Sequence, residues 1–160
     1  LMMIPIQVSV VHHPLSLIEV SKFLQHSENG AQCLFMGVVR DHNQGRKVNA
    51  VSYDAFIPMA EKVFREICEE ALQSVGLAGA IESAGSSGST RVILIHRVGR
   101  VEVGEASIII GVSTVHRDES YRISRTIIEN VKHRAPIWKK EHYLDGDSEW
   151  LEGHSLCSHS

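Results

Sequence analysis

Apolar and polar positions alternate near the start of the chain, where Ile6, Val8 and Val10 are separated by Gln7 and Ser9, the period-two signature of a half-buried strand. The pattern stops at Pro14. Ser16 followed by Glu19 forms a capping-box pattern, and Leu17, Val20, Phe23 and Leu24 then recur at helical spacing, with Asn29-Gly30 as the expected stop. Cys33 to Val39 is almost continuously apolar, as a central strand covered on both faces would be, and Gly37 within it marks a bulge or a close backbone approach. The polar run Asp41 to Arg46 separates this strand from Val51, Tyr53 and Ala55, which alternate again, so a hairpin around an exposed loop is expected.

Pro58 suits a first helical position, and Val63, Phe64, Ile67, Cys68, Ala71 and Leu72 form an apolar stripe over residues 60–74 while Glu61, Lys62, Arg65, Glu66, Glu69 and Glu70 face water. Residues 83–90 are Ser, Ala, Gly and Thr only and predict a flexible loop. Strands are expected at Val92 to Ile95 and Ala106 to Val112, joined through Val98 to Glu105. Helical periodicity returns near Asp118 with Ile123, Ile127, Ile128 and Val131, until Pro136 forbids a regular continuation. Strand, helix, strand, strand, helix, strand, strand, helix, then a basic segment is an α+β order with a mainly antiparallel sheet and about three helices. One domain over residues 1–150 and a polar tail over 151–160 are expected.

Composition narrows the function classes. A chain of 160 residues with a formal charge of −3 is large enough for a hydrophobic core and lacks the basic balance of a general nucleic-acid binder. No apolar run reaches the length of a membrane span, and Leu1 to Val11, broken by Pro5, Gln7 and Ser9, lacks the basic start of a secretion signal. Cys33, Cys68 and Cys157 are odd in number and far apart, which fits a reducing, cytoplasmic setting. Ten histidines form no His-Glu-x-x-His spacing, so no metal site is expected.

The densest basic stretch is Lys132 to Lys140, followed by Glu141. Because Pro136 breaks the helix, Lys132 and Lys139 can turn back toward one another, with Trp138 holding the segment. Neighbouring ammonium groups disfavour each other's protonation, which suits a lysine to acid, base or nucleophilic duty. From the spacing alone, a solvated charge run beside a structural tryptophan is the favoured reading. Arg40 after Val38-Val39, and His116-Arg117 ahead of the third helix, put cations at strand ends where an anion would be held; capping or surface pairs are the alternative. His96-Arg97 before Gly99 reads as a structural ion pair near a turn.

Taken together, Phe35-Met36-Gly37-Val38-Val39-Arg40-Asp41-His42-Asn43, Ile95 to Gly99, Gly104 to Ser107, His116-Arg117 and Ala135 to Glu141 resemble the large, catalytic subunit family of molybdopterin synthase. Tyr53, Pro58-Met59-Ala60-Glu61 and Asp147 to Trp150 extend the resemblance, which spans roughly Ile6 to Trp150. It implies an α/β-hammerhead type of fold and a homodimer binding one small ubiquitin-like sulfur-carrier subunit at each end, a heterotetramer. It also implies sulfur transfer from the small subunit's C-terminal thiocarboxylate to cyclic pyranopterin monophosphate, forming the dithiolene of molybdopterin without a permanently bound cofactor. The matching positions make Lys132 and Lys139 the catalytic pair and Val38, Val39, Arg40, His116, Arg117, Lys140 and Glu141 the substrate-binding set, with some arginines supplied by the second protomer. A dimeric anion-binding adaptor and a different transferase or hydrolase acting on a phosphorylated heterocycle share these residues as alternatives. Two departures stand out: residues 77–90 form a longer, more Gly/Ser-rich link than the family's, and residues 153–160 have no counterpart.

Overall fold

The computed structural model describes residues 5–77 and 86–147. In chain order its elements are β1 (Ile6–Val11), α1 (Leu17–Leu24), β2 (Ala31–Val38), β3 (His42–Asn43), β4 (Arg46–Ala55), α2 (Ile57–Ser74), a 3-10 turn (Ser86–Ser89), β5 (Arg91–Arg97), β6 (Gly99–Glu102), β7 (Ala106–Thr114), α3 (Arg117–Arg134), β8 (Ile137–Tyr143) and β9 (Gly146–Asp147). This is the expected α+β class with three helices.

Two sheets carry the molecule. The first has the order β1-β5-β7-β2, with β1 parallel to β5 and the other pairs antiparallel. The second has the order β3-β4-β8-β9, with β6 also on β4, and is antiparallel throughout. Strand side chains alternate between faces, so β5 and β7 send Val92, Leu94, Ile108, Ile110 and Val112 into a core with α2 and α3, and Ile93 and Ile109 into a second core with α1. A third cluster of Val39, Val48, Val51, Val101 and Tyr143 packs on the second sheet.

The helices follow their sequence signals, with one adjustment. Ser16 caps α1 by accepting the Glu19 amide at 3.3 Å, but the helix ends at Leu24, well before Asn29-Gly30. Asn29 is held elsewhere, donating to the Ser89 carbonyl at 2.6 Å and the Ser113 hydroxyl at 2.7 Å. In α2, Pro58 sits in the first turn and Ala60, Phe64, Ile67, Cys68, Ala71 and Leu72 are buried. Burial pushes the Cys68 thiol up to about 12, which leaves it inert as a nucleophile. Acidic Asp118 and Glu119 open α3 and Lys132, His133 and Arg134 close it, each set complementing the helix dipole.

Three expectations need correction. The apolar run Cys33 to Val39 forms an edge strand, not a central one: β2 pairs only with β7 among the described residues, leaving Leu34, Phe35 and Met36 37–42% exposed. The expected bulge is present, as a register shift between Gly37 and Val38. The strands flanking Asp41 to Arg46 do not pair with each other; β2 and β4 belong to different sheets, and only the short β3 closes a hairpin on β4. Of the expected loop 83–90, residues 83–85 lie outside the described set, whereas Ser86–Ser89 forms the 3-10 turn and Ser89 and Thr90 are buried. The tail 151–160 also lies outside the described residues.

Gly111 on β7 lies directly beneath Val20 and Leu24 of α1. A Cβ there would meet Ile93 Cγ2 at 2.8 Å and Leu24 Cδ1 and Val20 Cγ1 at 2.9 Å, all on buried side chains without room to withdraw. Gly111→Ala is therefore expected to lower unfolding stability by about 1–3 kcal/mol, read as a reduced urea midpoint at unchanged slope.

Candidate active site

The two sheets part where β2 ends, and a cavity of about 410 Å³ opens there between β2, β4, β8 and the last turns of α3. That volume lies within the range of small-molecule sites. Val38, Val39 and Arg40 bring the end of β2 to its wall. Their backbone is fixed by reciprocal bonds to the β6–β7 turn, Val39 N–H to Glu105 O at 3.0 Å and Gly104 N–H to Val39 O at 2.9 Å.

Lys132 and Lys139 both line this cavity, from different elements. Ala135, extended at φ −69° and ψ 129°, ends α3 ahead of Pro136, and the Ile137 amide donates to the Ala135 carbonyl at 2.8 Å, a three-residue reversal. The basic segment then becomes β8, pairing with β4 so that Lys139 lies opposite Tyr53 and Glu141 opposite Val51. Alternation turns Lys139 and Glu141 to the cavity and Lys140 and His142 to the other face, where His142 is hydrogen-bonded to the Ser52 hydroxyl at 2.6 Å.

Glu141 is the cavity's only carboxylate among the described residues, and it is 6% exposed. Lys139 Nζ stands 3.6 Å from its Oε1, and Oε2 accepts hydrogen bonds from Asn43 Nδ2 at 2.7 Å and from the Tyr143 hydroxyl. Burial alone pushes the Glu141 carboxyl up; the hydrogen bonds from Tyr143 and Asn43 and the Lys139 charge outweigh it and hold the group below the usual carboxylate range. Lys132 is exposed and has no ion-pair partner among the described residues.

Of the residues expected at the site, Val38, Val39, Arg40, Lys132, Lys139 and Glu141 therefore converge on one cavity. Lys140 is turned away from it. His116 and Arg117 are not brought to it either: they are exposed at the start of α3, about 22 Å along the helix axis from Lys132. The pair His96-Arg97 splits. Arg97 makes the expected structural ion pair, to Glu105 at 2.9 Å, but His96 lines the cavity. Its Nδ1–H donates to the Arg97 carbonyl at 2.7 Å, leaving Nε2 as an acceptor, and its ring meets Tyr53 edge-on with centroids 5.0 Å apart. His96, Asn43 and Tyr143 are absent from the expected site. For His96 the available signal is a lone polar residue at the end of the apolar run Val92 to Ile95; for Tyr143 it is the two-residue spacing from Lys139 and Glu141.

Three fixed cations, Arg40, Lys132 and Lys139, against one satisfied carboxylate make this a cavity for an anionic ligand, with a lysine available for proton transfer or covalent chemistry. Among the described residues no helix is long and apolar enough to cross a membrane.

Comparison with known proteins is consistent over most of the chain. The family model described as MoaE protein matches residues 10–134. The molybdopterin synthase catalytic subunit of Synechococcus elongatus is 40% identical over 151 residues, covering 94% of this chain and 85% of that protein. The crystal structure of molybdopterin synthase from Staphylococcus aureus superposes with a TM-score of 0.77 at 30% identity, covering 91% of this chain and 96% of that one. A complex of subunits 1 and 2 of the molybdopterin-converting factor from Helicobacter pylori shares the fold, with a TM-score of 0.66 at 21% identity over 91% of this chain and 89% of that one.

Burial pushes the His96 imidazole down to about 4. The unfolded chain, near 6.5, then binds more protons than the folded one between these values, so stability falls as pH drops through that window, by about 3 kcal/mol in all. Urea midpoints measured from pH 7 to pH 4 are expected to fall more steeply for the wild type than for His96→Asn.

Proposed function

The chain belongs to the MoaE protein family and has the role of a molybdopterin synthase catalytic subunit, a sulfur-transferring enzyme of molybdenum cofactor biosynthesis, and from that premise we propose how its cavity acts. A small ubiquitin-like subunit delivers sulfur as the thiocarboxylate of its C-terminal glycine, its tail entering the cavity beside cyclic pyranopterin monophosphate. Two deliveries build the dithiolene, and no resident cofactor takes part. The Helicobacter pylori complex of two subunits supports a small-subunit partner, and a cytoplasmic setting belongs to the same proposal.

The observation that carries this reading is the meeting of Lys132 on α3, Lys139 on β8 and Arg40 just after β2 around one cavity. As sulfur leaves the carboxyl carbon for the substrate, negative charge gathers on neighbouring oxygens, and cations gathered around the cavity stabilise it. Their surroundings divide the labour. Lys139, its side chain 16% exposed and beside Glu141, positions substrate and transferring group. Lys132, exposed and without an ion-pair partner among the described residues, is the proton-transfer or nucleophilic residue. Arg40, with the backbone of Val38 and Val39, holds phosphate and pterin oxygens.

His116 and Arg117 act in the cavity of a second copy in this proposal, since their own lies a helix length away. The homodimer that this requires is supported by β2, whose open edge carries the exposed Leu34, Phe35, Met36 and Val38, a row that a folded protein rarely leaves bare. Each protomer would bind one small subunit, giving a heterotetramer.

Conversion of cyclic pyranopterin monophosphate by the purified chain and a thiocarboxylated small subunit, read as the fluorescent oxidation product of molybdopterin, tests the proposal. Lys132→Ala is expected to lose at least about 100-fold in turnover with folding intact. A fully active Lys132→Ala protein would remove that residue from the mechanism, and product formed without the partner would point to a different transferase.

A further inference from the structure

The cavity wall contains a buried polar network whose outer members do not line it, and its meaning rests on the sulfur-transfer reading above. Glu141 lies on β8 between Lys139 and Tyr143, all three on one side of the strand. Its Oε2 is held by Asn43 Nδ2 at 2.7 Å and by the Tyr143 hydroxyl, and the same Asn43 amide reaches the Tyr143 oxygen at 3.0 Å. Tyr143 is itself fixed from behind: the Arg46 guanidinium sits 3.6 Å from its ring centroid, and Asp145 holds Arg46 through a 2.6 Å ion pair. Asn43 reaches across from β3, whose turn onto β4 places Gln44 and Gly45 at positive φ, 51° and 75°.

Stability does not account for this arrangement. Buried ion networks are commonly matched or bettered by apolar groups of similar volume, and the apolar cluster that Tyr143 joins has only five buried residues. Its placement accounts for it better: every bond to Oε2 fixes the carboxylate whose other oxygen faces Lys139. We propose that Asn43 and Tyr143 are positioning residues for Lys139, orienting the Glu141 carboxylate so that the ammonium has one station in the cavity. Neither needs to touch substrate for this; both act through Glu141.

The titratable and charged groups around Glu141 include Lys139 and Tyr143 on its own strand and Tyr53 and Arg46 on β4, with Asp145 offsetting Arg46; Arg40 after β2, His42 on β3, His96 on β5 and Lys132 on α3 line the same cavity. Loss of the Tyr143 hydroxyl removes a donor to the carboxylate. Glu141 then takes up its proton at higher pH, releasing Lys139 sooner as pH falls.

The test uses the complete synthase with Tyr143→Phe, Asn43→Ala and Asn43→Asp. Tyr143→Phe keeps the ring on which Arg46 rests, and is expected to lower kcat about tenfold with KM for the pterin changed less than about twofold. The acidic limb of its kcat profile moves to higher pH. Asn43→Asp, which sets a second carboxylate beside Glu141, is expected to lose more than Asn43→Ala, the reverse of what packing alone would give. Carboxyl NMR of Glu141 reads the clamp without turnover: its titration moves up in Tyr143→Phe. An unshifted Glu141 titration, or an unchanged kcat and acidic limb, overturns the proposal. A wild type that binds both partners yet makes no product overturns the sulfur-transfer reading instead, and the NMR comparison still decides the clamp.

Discussion

Pro136 has no amide hydrogen to continue α3 and forces the residue before it out of helical geometry, and the cavity depends on that interruption. Ala135 and Ile137 on either side are buried in the main core, so the reversal is pinned as well as permitted. Downstream residues must then extend, and β4 is the strand they meet, from Ile137 opposite Ala55 onward. Once that register is set, alternation decides the rest: Lys139 and Glu141 face Lys132 across the cavity, and Lys140 cannot. A continuous helix would have placed Lys139 about two turns beyond Lys132 on the same helix face, not opposite it across a cavity.

The charges around the cavity are arranged at modest cost. Lys132 stays at the exposed C-terminal end of α3, where the helix dipole favours a cation. Only Glu141 is drawn deeply out of water, and it is the group given two hydrogen-bond donors and an ammonium neighbour. The cavity keeps a positive excess for an anionic ligand while its one negative group stays internally compensated.

Much of the fold is legible in the sequence because α2, the Ser16 cap, β5 and β7 each rest on local periodicity. What is not legible depends on partners distant along the chain. An apolar run such as Cys33 to Val39 looks alike whether its own chain or another covers it, and here its own chain covers one edge only. Strand β8 is hidden because Lys139, Lys140, Glu141 and His142 are polar on both faces, so the period-two pattern carries no hydrophobic contrast. The lysines and Arg40 could be picked out as cations near breaks in structure, whereas Asn43 acquires its role only by lying against Glu141, 98 residues away.

That separation also orders events during synthesis. The β4–β8 pairing and the bonds from Asn43 to Glu141 and Tyr143 join segments distant along the chain, the two bonds spanning 98 and 100 residues. Non-local strand pairing of this kind is slow compared with helix formation, because a long loop must close before any contact repays it. A nascent chain that has emerged only through α3 can assemble the first sheet with its three helices, yet it holds β4 with β3 and β6 only and exposes the side that β8 will cover. The first sheet is thus a scaffold that can form before β8 emerges, while the cavity wall waits for that strand.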